Sequence, residues 1–273
     1  MSNEKQKLPP RFYKYQSVTT QTLANLRKRR VFFAHPSQFN DPFDCRVFPT
    51  VDEFNTEEAR SFLQRYRSQN EAIRNIADAA ERDPSLIDDY KELVGPGINR
   101  AVDEEMRRAF SQIGVCCFSS IKDSVLMWGH YANGHRGFCL EFRSDCELFE
   151  KATPVQYTSD VPRVALSDAL DGRGLDLFRQ VVATKHTQWK YEQEWRVIHL
   201  QANSPFYYEP EDLVAIYLGS EIREDDADLV AAALEGRPTS IYHYTKSDTQ
   251  FALNEPGLLK DGGASRRITS PCT

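Results

Sequence analysis

Two glutamates separated by one residue, Glu192 and Glu194, have the residue type and spacing that catalysis can use. They lie at the start of a predicted strand that ends near residue 200, and residues two apart on a strand point to the same face. Two carboxylates on one face can divide labour, because one can stabilise developing positive charge while the other orients a second reactant. A surface strand end, with either glutamate paired to Arg196 or Lys190, has the same spacing, and that alternative stays open.

A short predicted helix carries His130 and Tyr131 directly after Met127 and Trp128. A neutral imidazole can act as an acid, a base or a hydrogen-bond donor to a phosphate. Helical spacing places Trp128 and Tyr131 on one side of the helix. The alternative is a core helix that packs Met127 and Trp128 inward, with His130 capping backbone carbonyls.

The loop over residues 35–44 contains Asn40 and Asp41 between Phe39 and Phe43. These polar side chains can bind ribose hydroxyls, a base edge or a divalent ion, and they can equally stabilise their own turn. Lys185 falls in a predicted helix, where it could neutralise a pyrophosphate or could simply be exposed to solvent.

A metal site is not expected from the sequence. His130, His135 and Cys139 are spaced by five and four residues, but a predicted turn at Asn133 and Gly134 interrupts them. Tetrahedral zinc sites usually show tighter ligand pairs. Walker A, dinucleotide-binding GxGxxG, nucleophile-elbow and HExxH motifs are absent from the sequence, which disfavours the enzyme classes that use them.

The composition is that of a folded globular protein, since 40% of the 273 residues are hydrophobic and 27% are charged. The net charge of −6 disfavours a protein that coats nucleic acid, although the basic run at residues 27–30 could form a local groove or a solvated helix end. The six cysteines form no CxxC pair, and the sequence has no long apolar run. We therefore expect a cytoplasmic protein with free thiols and no contact with a membrane.

The elements that would position these residues follow from periodicity and turn residues. Strands are predicted at residues 12–15, 31–34, 115–118, 137–142, 155–157, 194–200, 213–219 and 241–244. Helices are predicted from a cap at Thr19 or Thr20 to Arg29, over 175–188 and over 224–234, with further charged helices between residues 52 and 112. The pattern predicts an α+β fold with a mainly antiparallel or split sheet core and an inserted helical lobe at about 52–112. We expect a single domain over residues 1–258 and a flexible tail over 259–273.

Six motifs in the sequence resemble the bacterial family known as domain of unknown function 2971. They are FYKY at residues 12–15, FNDPFD at 39–44, CFS at 117–119, MWGHY at 127–131, GFCLEF at 137–142 and WKYEQEWR at 189–196. The motifs occur in the order of the family and cover most of the chain apart from the helical lobe and the tail. The resemblance implies membership of this family, but it implies no particular activity.

A second resemblance is to the ADP-ribosyltransferase superfamily, which places functional residues on three strands and carries a Glu-x-Glu signature. Lys14 or Tyr15, then Ser119, then Glu194 are the possible equivalents, and Glu192 to Glu194 is similar to the signature. This resemblance implies NAD as the cofactor. It also implies that Glu194 accepts a hydrogen bond from the ribose 2′-hydroxyl and stabilises the cationic sugar, while Glu192 orients the acceptor.

We therefore favour an enzyme, an NAD- or nucleotide-dependent transferase or glycohydrolase, with a protein or nucleic-acid acceptor if it is a toxin or a phage-defence effector. The alternatives are a metal-dependent phosphodiesterase or nuclease that uses Asp41, Asp44 and the two glutamates, and a non-catalytic nucleotide sensor or interaction module. The candidate catalytic residues are Glu194, Glu192, His130, Tyr131 and Ser119. The candidate residues for binding NAD or a nucleotide are Tyr13, Lys14, Tyr15, Asn40, Asp41, Trp128, Lys185, Trp189 and Arg196.

Overall fold

A computed structural model of the protein describes residues 7–45, 56–68, 71–87, 111–162 and 179–262. The chain divides into two compact units, each discontinuous in sequence. The first unit comprises residues 1–35, 114–155 and 188–273, and the second comprises residues 36–113 and 156–187. The single domain over residues 1–258 stays a prediction.

An eight-stranded sheet forms the centre of the first unit, and its strands are β1 (Arg11–Gln16), β3 (Gly114–Ser119), β4 (Phe138–Arg143), β5 (Thr153–Pro154), β8 (Glu194–His199), β10 (Leu213–Leu218), β11 (Ser240–His243) and β12 (Gly257–Lys260). Across the sheet the strands lie in the order β12, β11, β10, β4, β1, β3, β8, β5. Neighbouring strands are antiparallel except for β10 and β11, which are parallel. The predicted α+β class with a mainly antiparallel sheet is confirmed.

The two faces of this sheet differ sharply in chemistry because side chains alternate along each strand. One face, which we call the phenylalanine face, carries Phe12, Phe118 and Phe142. The opposite face, which we call the tyrosine face, carries Tyr13, Tyr15, Cys117, Ser119, Cys139, Glu141, Glu194, Arg196, Tyr217 and Tyr242. The polar candidates on this sheet therefore share the tyrosine face, with the exception of Lys14, which lies on the phenylalanine face.

Helices α1 (Thr20–Arg27) and α5 (Glu224–Ala233) cover the phenylalanine face. Thr19 caps α1 as predicted, since its hydroxyl accepts a hydrogen bond from the backbone N–H of Thr22 at 3.1 Å. The helix ends at Arg27, two residues before the predicted end, because Arg29 adopts a left-handed conformation with φ of 52°. Leu26 and Val230 point into the aromatic core from these helices.

Helix α4 (Val125–Tyr131) covers the tyrosine face and buries Met127 and Trp128. The turn predicted at Asn133 and Gly134 follows it, and both residues have a left-handed backbone, with φ of 50° and 63°. This turn returns the chain to β4 at Gly137, whose backbone lies so close to β1 that a Cβ atom would meet the carbonyl oxygen of Gln16 at 2.1 Å.

A short antiparallel ribbon of β2 (Arg30–Phe33) and β9 (Ser204–Tyr207) completes the described strands of the first unit. Strands β9 and β12 were not predicted. The latter reaches into the predicted tail, of which residues 263–273 lie outside the described residues.

The second unit contains helices α2 (Thr56–Tyr66) and α3 (Glu71–Arg82), which lie within the predicted helical lobe. They share a small apolar core that includes Leu63, Ala77 and Ile87. Residues 88–110 of the predicted lobe lie outside the described residues. The unit also contains the parallel strands β6 (Gln156–Thr158) and β7 (Thr184–His186).

The predicted helix over residues 175–188 is wrong at its C-terminal end. Its described part is helical at residues 179–182, and the chain then forms β7 followed by a 3₁₀ segment over Thr187–Glu192. Lys185 therefore lies on a strand. None of the described helices combines the length and apolar character needed to cross a bilayer.

Replacing Gly137 with alanine is expected to destabilise the protein by about 1–3 kcal/mol, because the added methyl group would force β1 and β4 apart. Gly129→Ala is the matched control, since nothing lies within 4 Å of a Cβ added there and alanine favours a helix. That variant should gain about 0.5–1 kcal/mol. Urea unfolding measures both changes, and equal stability of the two variants would contradict the close approach.

Candidate functional site

The two glutamates occupy different elements, which corrects the prediction that they share a strand face. Glu192 ends the 3₁₀ segment Thr187–Glu192, whereas Glu194 is the first residue of β8. Gln193 between them has φ of 43°, a left-handed conformation that an ordinary strand does not contain. The relative placement of the two carboxylates is therefore set by this backbone turn.

Ser119 at the end of β3 links the two glutamates. Its hydroxyl donates a hydrogen bond to the backbone carbonyl of Glu192 at 2.6 Å, and Ser119 is paired with Glu194 in the sheet. Tyr13 is its partner on β1. Ser119, Glu192 and Glu194 are all at least 95% buried, so charges here are poorly screened by water.

Arg196 forms a buried ion pair with Glu194 on the tyrosine face of the sheet. Its Nε lies 2.7 Å from Oε1 of Glu194, and its Nη2 lies 3.1 Å from Oε2. The pairing anticipated for a strand end is therefore present, but it is buried, since Arg196 is 0% exposed. A bidentate pair of this kind fixes the orientation of the carboxylate.

The thiol of Cys117 completes the polar environment of this pair on the tyrosine face. Burial raises the pKa of Cys117 well above its ordinary value, and the nearby charge of Glu194 raises it further. The thiol is therefore protonated at neutral pH and can donate a hydrogen bond.

Tyr131 connects helix α4 to the two glutamates, because its hydroxyl donates a hydrogen bond to Oε1 of Glu192 at 2.5 Å. The helix begins at a cap formed by Ser124, whose hydroxyl accepts from the backbone N–H of Met127 at 3.4 Å. The side chain of Glu192 is thus held from a second element, and Glu192, Tyr131 and Ser119 form one hydrogen-bonded group.

Aromatic rings lie beside this group on the accessible side. The imidazole of His130 is exposed, and its centroid lies 6.3 Å from that of Trp189 and 6.1 Å from that of Tyr191. We refer to Ser119, Tyr131, Glu192, Glu194 and Arg196, together with these three aromatic residues, as the carboxylate cluster. Rings at such an edge can stack on a nucleobase.

A further buried carboxylate, Glu141 on β4, was missed by the sequence analysis. It accepts hydrogen bonds from Arg11 at 3.0 Å and from the hydroxyl of Tyr217 at 2.5 Å. Burial raises the pKa of Tyr217, and the hydrogen bond and charge of Glu141 raise it further. The signal that could have revealed Glu141 is a charged residue in the middle of the apolar run over residues 137–142.

Three of the first unit's candidates lie apart from the carboxylate cluster. Lys14 points to the phenylalanine face, where its ammonium group donates to the carbonyl of Cys117 at 3.0 Å. Trp128 is fully buried, as the alternative of a core helix predicted, and its indole donates to the carbonyl of Lys122. Tyr15 packs against Trp128 and donates to the carbonyl of Ile121 at 2.9 Å.

The other candidates, Asn40, Asp41 and Lys185, belong to the second unit. Asp41 accepts a hydrogen bond from the backbone N–H of Phe43 at 2.8 Å, which is the local turn that the sequence left open as an alternative. Lys185 is buried and pairs with Asp44 at 3.5 Å. A single site that includes Asn40, His130 and Glu194 stays a prediction. Among the described residues, no group of three His, Cys, Asp or Glu side chains is arranged to hold a metal ion.

Part of the chain is similar to a known protein family. The family model described as "Protein of unknown function (DUF2971)" matches residues 127–197. The resemblance to this family is confirmed. No curated protein and no solved structure matches the chain. The DUF2971 segment begins in α4 and ends in β8, and it therefore contains His130, Tyr131, Glu192 and Glu194.

Removing one partner of the buried ion pair is expected to be costly. Arg196→Met should lower the free energy of unfolding by about 3–5 kcal/mol, because the buried carboxylate of Glu194 would lose both of its charged contacts to Arg196. The double variant with Glu194→Gln should recover part of that loss. The control is Arg143→Met, which breaks an exposed pair of the same spacing with Asp145 and should leave stability unchanged. Equal losses of unfolding free energy in Arg196→Met and Arg143→Met would contradict the prediction that the buried pair contributes more to stability than the exposed one.

The tyrosine face predicts loss of stability at alkaline pH. Burial raises the pKa of Tyr13, Tyr15, Tyr217 and Tyr244 above the ordinary value of 10.0. The folded state therefore holds phenol protons that the unfolded state releases, so stability is full below about pH 10 and falls as the pH rises further. Phenolate absorbance measured as a function of pH follows the ionisation of the tyrosines, and urea unfolding at each pH measures the stability. Titration of every tyrosine near pH 10 without unfolding would contradict it.

Proposed function

We propose that the protein is an enzyme that breaks the N-glycosidic bond of NAD or a related nucleotide and passes the sugar to water or to another acceptor. The observation that carries this proposal is the carboxylate cluster, in which a 3₁₀ segment, a helix and two strands bring two buried glutamates together with two hydroxyl groups. Buried charges on rigid elements are what stabilisation of a cationic transition state requires.

In the proposed reaction, Glu194 stabilises the positive charge that develops on the ribose as the bond between its anomeric carbon and the nicotinamide nitrogen breaks. The bonding electrons leave with nicotinamide, which becomes neutral. Arg196 acts as a positioning residue, because its two contacts hold both oxygens of the Glu194 carboxylate. Its positive charge also restrains the negative potential at the site.

Glu192 orients the acceptor in this proposal, and Tyr131 holds its carboxylate in place. Water as acceptor gives a glycohydrolase, whereas a hydroxyl or an amide of a macromolecule gives a transferase. The exposed His130, with Trp189 and Tyr191 beside it, forms the side from which the nucleotide approaches. A macromolecular acceptor would make the protein a toxin or a phage-defence effector.

The cytoplasm is the compartment we propose for this activity, because reducing compartments keep cysteines as free thiols. The free thiols of the described chain support this choice, since Cys45, Cys116, Cys117, Cys139 and Cys146 form no disulfide.

The test is release of nicotinamide from NAD by the purified protein with a chelator present. Glu194→Gln should lower the rate about 100-fold, which corresponds to ~2.7 kcal/mol of transition-state stabilisation. Because this substitution also leaves Arg196 without its carboxylate, His130→Gln and Tyr131→Phe serve as further variants, and thermal unfolding checks that each is folded. Glu147→Gln, at an exposed position, is the matched control and should keep the full rate.

Cell extract added to the assay supplies a macromolecular acceptor. Absence of nicotinamide release both with and without extract would overturn the proposal. Activity on a phosphodiester that disappears with chelator would favour the metal-dependent phosphodiesterase instead, and binding of NAD without turnover would favour the sensor.

A further inference from the structure

A cavity of about 500 Å³ opens on the phenylalanine face of the first unit. Its walls come from β1, α1, β2 and β4, and the carboxylate cluster lies on the opposite face of the same sheet. Cavities that hold small organic molecules fall in the range of roughly 300–1,000 Å³. The cavity is therefore large enough for a ligand of its own.

Two cations, Lys14 and Arg30, line this cavity, and no carboxylate is among its described lining residues. The partners of both cations are neutral, since Lys14 donates to the carbonyl of Cys117 and Nε of Arg30 donates to Oδ1 of Asn25 at 2.8 Å. Within the described part of the chain, neither cation is in an ion pair. Two partly buried positive charges facing one cavity favour an anion, because desolvation strengthens their attraction for it.

Three side-chain amides stand beside the cations, those of Gln16, Gln21 and Asn25. The amide of Gln21 donates to Oδ1 of Asn25 at 3.0 Å, so this wall is a connected polar surface. Phe138 and Leu140 provide an apolar base. Amides recognise hydroxyl groups and ring nitrogens, whereas the alkyl chain of a fatty acid makes no use of them.

We propose that this cavity binds the phosphate monoester of a sugar, the group that sugar phosphates and mononucleotides share. Arg30 and Lys14 contact the phosphate, and the amides of Gln16, Gln21 and Asn25 contact the hydroxyl groups of the sugar. A planar guanidinium presents a pair of donors that matches two phosphate oxygens. We assign binding and no reaction to this cavity, whose described lining contains no carboxylate, imidazole or thiol.

Isothermal titration calorimetry of the full chain with AMP, ribose 5-phosphate, adenosine and decanoate tests this site. AMP and ribose 5-phosphate should both bind, and adenosine should bind at least about tenfold more weakly, since it lacks the charge-assisted hydrogen bonds. A higher affinity for AMP than for ribose 5-phosphate would show that the base contributes. Raising the salt concentration should weaken the binding of both phosphates.

Arg30→Gln should weaken AMP binding about tenfold or more, because it removes one charged contact to the phosphate. The matched control is Arg27→Gln, which removes a charge from the same basic run at an exposed position outside the cavity and should change the affinity less than about twofold. Lys14→Met is the second variant, and it should also weaken binding. Thermal unfolding confirms that each variant is folded.

The assignment would be overturned by equal affinity for AMP and adenosine, by tighter binding of decanoate than of AMP, or by equal effects of Arg27→Gln and Arg30→Gln. Glu194→Gln separates this proposal from the enzymatic one, because Glu194 does not line the cavity and its substitution should change AMP affinity far less than Arg30→Gln does. Loss of AMP binding in that variant, once thermal unfolding has shown it to be folded, would place the nucleotide at the carboxylate cluster and overturn the second site. If the protein does not cleave NAD, only the enzymatic proposal is overturned, because the calorimetry tests the cavity independently.

Discussion

The fully buried guanidinium of Arg196 imposes the constraint on which the arrangement of the sheet depends. A cation removed from water must be compensated within the protein, and Glu194, two residues earlier on the same strand, supplies a compensating charge. A slip of β8 by one residue would turn both side chains toward the phenylalanine face. The register of β8 against β3, and with it the position of Ser119 beside the two glutamates, is therefore tied to this ion pair.

The different chemistry of the phenylalanine face and the tyrosine face explains how the cavity and the carboxylate cluster coexist in one unit. On the phenylalanine face, rings such as Phe12 and Phe149 stack at 4.2 Å between centroids and form a rigid core. That rigidity supports Glu194 and Glu141 from behind, because their strands are packed on both faces. Side chains on rigid strands keep their geometry better than those on loops.

The sequence predicted the strands whose apolar and polar residues alternate or form apolar runs, and it placed the helix that carries His130 and Tyr131 correctly. It missed β9, because Pro205 interrupts that short strand, and β12, because all four of its residues are exposed. Strand β7 was predicted as part of a helix, because the residues before Gln188 have a helical pattern. Its pairing with β6 depends on tertiary structure, which a local sequence pattern does not show. The separation of Glu192 from β8 depends on the left-handed Gln193, which no local pattern indicated.

The order in which the strands are synthesised has a consequence for folding. The N-terminal strand β1 lies between β4 and β3, and its longest run of pairs joins it to residues 138–143. At about 5–20 residues per second, a ribosome needs on the order of ten seconds to deliver that partner. During this time β1, an aromatic strand that is interior in the folded sheet, lacks the strand with which it makes most of its pairs, so its apolar side chains are open to aggregation until β4 has emerged.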